Sequence, residues 1–231
     1  MLTSFDTASH DASVSSSLAT VFRGKLCDTL LRNRSTITFD KGAIIYDAGD
    51  KGRTFFFVKR GVVKVGIVTG DGHEIIYDLR KAGDVVGELC AYESVRRDRA
   101  VALEPTEVMA VPFDEILDSL QKNRAVLQEI LEVICRSLSG AYDQADLLSS
   151  GDTVHRLIKV LLKLADQLGR PAGHLVEIGA YLTQEEISQM MAASRERVSG
   201  VLNHLRNRGM VEYSRGGHLL LDIKALNKYQ G

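Results

Sequence analysis

The side chains best placed to do chemistry lie close together near the C-terminus. Thr183-Gln184-Glu185-Glu186 has the spacing of a capping box, with threonine at the N-cap and glutamate at N3, so a helix opens there. Ile187, Met190 and Met191 are its buried positions, Ala192 and Ala193 make a tight turn, and Ser194 caps a second helix. That second helix buries Val198, Val201, Leu202 and Leu205, the i, i+3, i+4, i+7 face. Its other face shows Arg195, Glu196, Arg197, Ser199, Asn203, His204 and Arg206. An arginine in the first turn of such a helix can bond guanine O6 and N7 together in a DNA major groove. A glutamate there can accept from cytosine N4. A solvated charged face is the competing reading of Arg195-Glu196-Arg197 taken alone. The capped helix before it and the hairpin after it favour a helix-turn-helix. That hairpin runs Met210 to Tyr213, turns at Ser214-Arg215-Gly216-Gly217, and returns over His218 to Leu221, which supplies a wing.

Other chemistries find less support. Cys27, Cys90 and Cys135 are too few and too scattered for a disulfide framework or a zinc site. The nucleophile elbow, the Walker loop, the dinucleotide glycine pattern and H-E-x-x-H are absent, so nothing local argues for an enzyme. A metal-dependent β-roll enzyme is the rival class, but residues 21–120 hold only His73 as a histidine ligand. The chain has 231 residues, 45% hydrophobic and 26% charged, ordinary values for one large or two modest globular domains. No apolar run approaches the roughly 18–20 residues that span a bilayer, so no membrane partner is expected. Met1 to Thr20 is polar and serine-rich, which reads as a flexible tail rather than a secretory signal, in a reduced cytoplasmic protein. The net charge of −1 conceals a division: residues 1–151 carry 18 Lys and Arg against 22 Asp and Glu, and residues 152–231 carry 11 against 8. The second part is the basic one, as a nucleic-acid binder requires.

The elements that position these residues fall into three regions. Residues 21–122 alternate short β-prone runs with glycine turns, including Thr54 to Val58, Val62 to Val68 and His73 to Leu79. Thr69-Gly70-Asp71-Gly72 forms a hairpin turn between the last two runs. Such spacing predicts an antiparallel sandwich or roll, closed by a short helix over Phe113 to Leu120. Residues 123–151 change period: Leu127, Leu131, Ile134, Leu138, Ala141, Ala145 and Leu148 recur every 4 or 3 residues as an a/d stripe. A helix packed on its own β-domain is the bland reading; the regularity, with Glu132, Arg136, Asp143 and Asp146 off the stripe, fits a dimer seam better. The stripe stops at the small hinge Ser149-Ser150-Gly151. Asp152 then caps an amphipathic helix that ends at Gly169 to Gly173, opening a separate domain over 152–231.

The run from Leu182 to Ile187 through Ala193 to Val198 closely resembles the DNA-binding motif of the catabolite activator and FNR family of bacterial transcription regulators. Asp47-Ala48-Gly49-Asp50, Gly61 to Val65 and Gly83 to Leu89 are similar to that family's cyclic-nucleotide-binding roll. The resemblance covers about 22 to 225 and implies an α+β fold. Its parts are an N-terminal antiparallel β-roll, a long dimerisation helix and a C-terminal winged helix-turn-helix. It further implies a homodimer on near-palindromic double-stranded DNA, with RNA polymerase as a further partner. Arg195 and Glu196 carry over as base readers, Arg197 and Ser199 as contacts to base or phosphate, and Thr183, Gln184 and Ser194 as helix-start contacts. One departure is Gly200, where many relatives have a second arginine.

For the effector, the resemblance places Gly87-Glu88-Leu89 at the ribose and Arg96 at the phosphate, with Arg97 where a hydroxyl is usual. Ser94 or Tyr92 are alternative sources of that hydroxyl, and pairing of Arg96, Arg97 and Arg99 with Glu88, Glu93 or Asp98 is the competing reading. On the long helix, Ala141 and Tyr142 replace the threonine and serine that contact adenine, although Tyr142 keeps a phenol. A cyclic nucleotide therefore stays open as cofactor, while standard cyclic-AMP recognition does not fit. The alternatives are a constitutive regulator whose site is vestigial or filled by Arg97 and Arg99, and a thiol-responsive one using Cys90 or Cys135. An iron–sulfur cluster is not expected, since only Cys27 lies near the N-terminus.

Overall fold

The computed structural model describes residues 30–31, 33–122, 124–149, 152–179 and 182–229. The expected tail over 1–20, Cys27, and the hinge positions Ser150 and Gly151 lie outside the described residues. The N-terminal unit is built from β1 (Ile37–Phe39), β2 (Ile44–Tyr46), β3 (Thr54–Arg60), β4 (Val62–Val68), β5 (Glu74–Lys81), β6 (Val85–Val86), β7 (Arg99–Ala102) and β8 (Thr106–Pro112). These form two four-stranded antiparallel sheets, β1-β8-β3-β6 and β2-β7-β4-β5. The alternation of side chains along β3, with both faces covered, explains why the run Phe55 to Val58 is apolar throughout. Phe55 and Phe57 face Val85, Val111 and Ile116. Phe56 and Val58 face Tyr46, Val63, Val65 and Val108 between the sheets. The expected turn closes β4 onto β5, with the Thr69 amide donating to the His73 carbonyl at 2.8 Å and Gly72 at φ +86°.

The helices follow. α1 (Phe113–Lys122) starts directly after Pro112, and its Ile116 seals the outer face of the first sheet. α2 (Arg124–Ser149) is one helix of 26 residues, about 39 Å long at 1.5 Å per residue. Leu127, Leu131, Ile134 and Leu138 along it stay 46–53% exposed, an unusual state for four leucine-class side chains in one row. Ala141 and Ala145 are exposed as well, and Leu148 is half-buried. α3 (Thr153–Leu168) is capped as expected, the Asp152 carboxylate accepting from the Val154 amide at 2.9 Å. α4 (Gln184–Met191), α5 (Arg195–Asn207) and the short α6 (Ile223–Asn227) complete the set.

The C-terminal sheet is larger than the expected two-stranded wing. Its order is β11 (Val211–Tyr213), β12 (Leu219–Leu221), β10 (Leu175–Ile178) and β9 (Arg170–Ala172). The segment 169–173, expected only to end a helix, contributes β9, and Pro171 is tolerated because β9 is an edge strand. Nor does the winged unit have a core of its own. One apolar cluster joins Val62, Ile76, Leu79 and Leu103 of the roll to Leu147 of α2 and to Leu161, Met190, Leu202 and Leu221. No helix among the described residues is long and apolar enough to cross a membrane.

Candidate nucleic-acid interface and effector site

The capping box on α4 is complete. The Thr183 hydroxyl accepts from the Glu185 amide at 3.1 Å, and the Glu186 carboxylate accepts from the Thr183 amide at 3.0 Å. α4 is closed by Ala192, held in the left-handed region at φ 47°, which turns the chain sharply enough for Ser194 to cap α5 two residues later. Ser194 then accepts from the Arg197 amide at 3.3 Å. Val198, Leu202 and Leu205 anchor α5 in the core, which fixes its opposite face outward. Arg195, Glu196 and Arg197 are all exposed there, Ser199 is half-buried beside them, and Thr183, Ser194 and half-buried Gln184 flank the group. A Cβ at Gly200 would meet nothing, so that position leaves a gap in the outward face and serves no packing need. The Glu196 carboxyl is held below the usual range by its backbone amide, the Ser194 hydroxyl and Arg195, which keeps it an acceptor.

Two supports of this surface escaped the sequence reading. The Tyr213 phenol of the wing, raised by burial, is hydrogen-bonded to Gln184 at the start of α4. His218 Nδ1 lies 2.8 Å from Glu177 Oε1, tying the base of the wing to β10. Neither pair has a local spacing signal, since each partner comes from a different element.

In the roll, Gly87 sits at φ +86° and opens a short 3-10 helix over Glu88–Ala91. Glycine is required there, because a Cβ would lie 2.6 Å from Arg96 Nη1 and 3.1 Å from the Thr54 carbonyl oxygen. Arg96 is only 5% exposed. Its Nη1 donates to the Gly87 carbonyl at 2.6 Å, its Nη2 to the Thr54 carbonyl at 2.5 Å, and its guanidinium stacks 4.3 Å from the Tyr46 ring centre. Glu88 Oε1 accepts from Arg80 Nη2 at 3.0 Å, while Arg80 Nε lies 3.1 Å from Asp78. Burial pushes the Glu88 carboxyl above the usual range, against the pull of Arg80. Asp98, 3% exposed, accepts from the Tyr77 hydroxyl at 2.6 Å and from Tyr46 at 3.4 Å. Both phenols are pushed up, first by burial and then by the Asp98 charge.

Gly87, Glu88 and Arg96 thus come together, and the other expected effector residues do not join them. Leu89 is 46% exposed and Tyr142 is 67% exposed on α2. Arg97 turns to the surface, where it pairs with Glu93 at 2.5 and 2.6 Å. Arg99 pairs with Asp47 at 2.6 and 2.7 Å. The alternative in which Arg97 and Arg99 fill the site is therefore corrected: the arginine engaging Glu88 is Arg80, which lies outside the motifs that mark the roll. Its inward direction follows from its position on β5, and no short motif carries that. Cys90 is 1% exposed and burial raises its thiol, the opposite of what a reactive thiolate needs; Cys135 is exposed on α2.

Comparison with known proteins agrees with this architecture. The cyclic nucleotide-binding domain family matches residues 36–123, and the Crp-like helix-turn-helix domain family matches residues 155–229. The chain is 31% identical over 200 residues to a CRP-like cAMP-activated global transcriptional regulator of Mycobacterium tuberculosis, covering 85% of this chain and 88% of that protein. It is 26% identical over 181 residues to a global nitrogen regulator of Synechocystis, covering 77% and 80% respectively. In structure it is similar to a CooA variant from Carboxydothermus hydrogenoformans, with a TM-score of 0.75 at 22% identity, over 92% of this chain and 95% of that one. With a roll matched to cyclic nucleotide-binding domains and a capped recognition helix matched to Crp-like ones, the chain belongs to the CRP–FNR family of transcription regulators and is not an enzyme.

Proposed function

We propose that the protein works in the cytoplasm as a homodimeric regulator that reads a near-palindromic DNA site with one winged helix in each half-site. The observation that carries this reading is the first turn of α5. Arg195, Glu196 and Arg197 face solvent there, on a helix whose far side is locked by Val198, Leu202 and Leu205. Arg195 and Glu196 are the base readers, Arg197 and Ser199 contact base or phosphate, and Thr183, Gln184 and Ser194 meet the backbone near the start of each helix. The exposed row Leu127, Leu131, Ile134 and Leu138, continued by Ala141, Ala145 and Leu148, supports pairing of two α2 helices. Twofold symmetry then sets the half-sites about one helical turn, roughly 34–36 Å, apart. RNA polymerase is the partner through which bound dimer acts on transcription.

The effector reading is that standard cyclic-AMP recognition is absent. Arg80 engages Glu88, Arg96 is committed to two backbone carbonyls, and Ala141 and Tyr142 stand where adenine contacts would come from. The relatives' own names range from a cAMP-activated regulator to a nitrogen regulator, so membership in the family does not carry an effector. A ligand of another kind would sit in the roll near Glu88 and Arg96, and favour the winged-helix orientation that fits DNA. The second reading is a ligand-independent regulator, favoured by the Arg80–Glu88 pair, which gives the half-buried carboxylate a partner without any ligand.

Mobility shifts test the DNA assignment. Arg195→Ala should lose roughly 1–3 kcal/mol of discrimination at one guanine per half-site. Equal weakening on specific and scrambled duplexes would make Arg195 a phosphate contact and overturn its assignment as a reader.

A further inference from the structure

The C-terminal end of α2 has two working faces. Ala141, Tyr142 and Ala145 are exposed, while Gln144, beside Ala141 on the helix surface, and Leu147, further round, are 8% and 6% exposed. Leu147 lies in the apolar cluster that contains Met190 and Met191 at the end of α4. Gln144 Nε2 donates to the Met190 carbonyl oxygen at 3.0 Å, and the bond is buried. One residue on, Arg156 Nη1 from α3 donates to the Met191 carbonyl at 3.1 Å. Carbonyls in the last turn of a helix have no helical partner, so outside donors are free to hold them. From the roll, Lys64 Nζ reaches Gln189 Oε1 at 3.2 Å. The last turn of α4, immediately before the turn that aims α5, is therefore held from α2, α3 and β4 at once.

We infer that Gln144 is a positioning residue for DNA reading, which fixes the angle of the helix-turn-helix on the long helix. The inference rests on the reading of the protein as a two-half-site DNA binder. Apolar contact such as that of Leu147 is non-directional and leaves α4 free to slide or rock. A buried amide donor is different, because an unsatisfied one is costly and the bond is directional, so one orientation is selected. The same helix carries the dimer stripe beside Gln144, which follows Ala141 by three residues and precedes Leu148 by four, so the orientation is set relative to the dimer axis and hence to the partner's reading head. In bivalent binding the second head engages at an effective concentration that depends on how rigidly it is held. Loosening α4 spreads that second head over many positions without altering the side chains that touch bases.

The test uses the full chain and a near-palindromic duplex selected by the wild-type protein from a random library. Affinities are measured by fluorescence anisotropy for that duplex, for one with the second half-site scrambled, and for one with both scrambled. Gln144→Met keeps the length and the apolar stem but removes the donor. It should bind the two-half-site duplex roughly tenfold more weakly, with less than about a twofold change on the single half-site. Gln189→Ala, at a half-buried position, removes the roll-side contact and should act in the same direction by a smaller factor; it carries the test if Gln144→Met fails to fold. Equal losses on both duplexes would reduce Gln144 to a structural support. Tighter binding to the two-half-site duplex would show a brake in place of a positioner. If the wild type itself fails to prefer its selected duplex over the fully scrambled one, the DNA reading falls first, and the positioning role with it.

Discussion

A half-buried carboxylate in a β-roll is held by whatever cation the fold brings to it, and for Glu88 that cation is Arg80. A ribose hydroxyl entering at Glu88 has to displace Arg80 Nη2, leaving a side chain only 10% exposed with Asp78 as its remaining partner. A phosphate entering at Arg96 has to draw the guanidinium away from the Gly87 and Thr54 carbonyls and off the Tyr46 ring. Breaking one buried charge pair costs about 3–5 kcal/mol. Even the lower figure is more than a hundredfold in affinity. Calorimetric titration with cyclic AMP should therefore give no micromolar binding; a micromolar isotherm would sink this reading of the site. At this scale the sequence was informative about residue type and silent about direction. Glu88, Arg96 and Asp98 were legible as candidates, whereas Arg80, Tyr46 and Tyr77 were not, because their meeting depends on two sheets closing over one interior.

At the scale of elements, the local signals are those that needed no partner. Capping boxes act over three residues, so Thr183 and Glu186 announce α4 and Ser194 announces α5 without reference to the rest of the chain. β9 gave no such signal: Arg170-Pro171-Ala172 between glycines reads as a loop, and becomes a strand only because β10 offers it an edge. The turn between α4 and α5 stores a small conflict. Ala192 lies at φ 47°, where an L-residue with a Cβ is strained by roughly 1–2 kcal/mol and glycine is not. Glycine also gains freedom in the unfolded chain, worth about 0.4–1 kcal/mol against folding. Ala192→Gly should therefore stabilise the protein by about 0.5–1 kcal/mol, read as a rise in Tm of about 1–4 °C. A fall in Tm would mean that the Ala192 methyl makes a contact worth more than the strain it imposes.

At the scale of the molecule, the exposed row on α2 is the largest mismatch between side-chain type and environment. Leu131 and Leu138 are 53% and 51% exposed, although neighbouring faces of the fold bury leucines completely. Burying them against a second α2 removes that cost, at about 25 cal/mol per Å² of apolar surface. Replacing both by glutamate, Leu131→Glu with Leu138→Glu, should convert a dimer into a species sedimenting at one chain mass, 25.4 kDa. A double variant that still sediments as a dimer would move the seam elsewhere. The charge division belongs to this scale too. A formal net of −1 suggests no nucleic-acid partner, yet residues 152–231 carry 11 Lys and Arg against 8 Asp and Glu, with Arg195, Arg197, Arg206 and Arg215 exposed. So modest a local excess leaves specificity to particular contacts and to the geometry of the pair.

The order of elements, the caps, the turn chemistry and the outward face of α5 were all determined by the sequence by itself. Each follows from interactions within a few residues or from the period of apolar positions along one element. Tertiary structure alone decided which arginine meets Glu88, that β9 extends the wing sheet, and that the winged unit shares its core with the roll. It also decided that Gln144 grips the end of α4. These outcomes pair residues from different elements, and such pairs are chosen by packing and by the need to satisfy buried polar groups. Neither requirement exists until the chain has closed on itself.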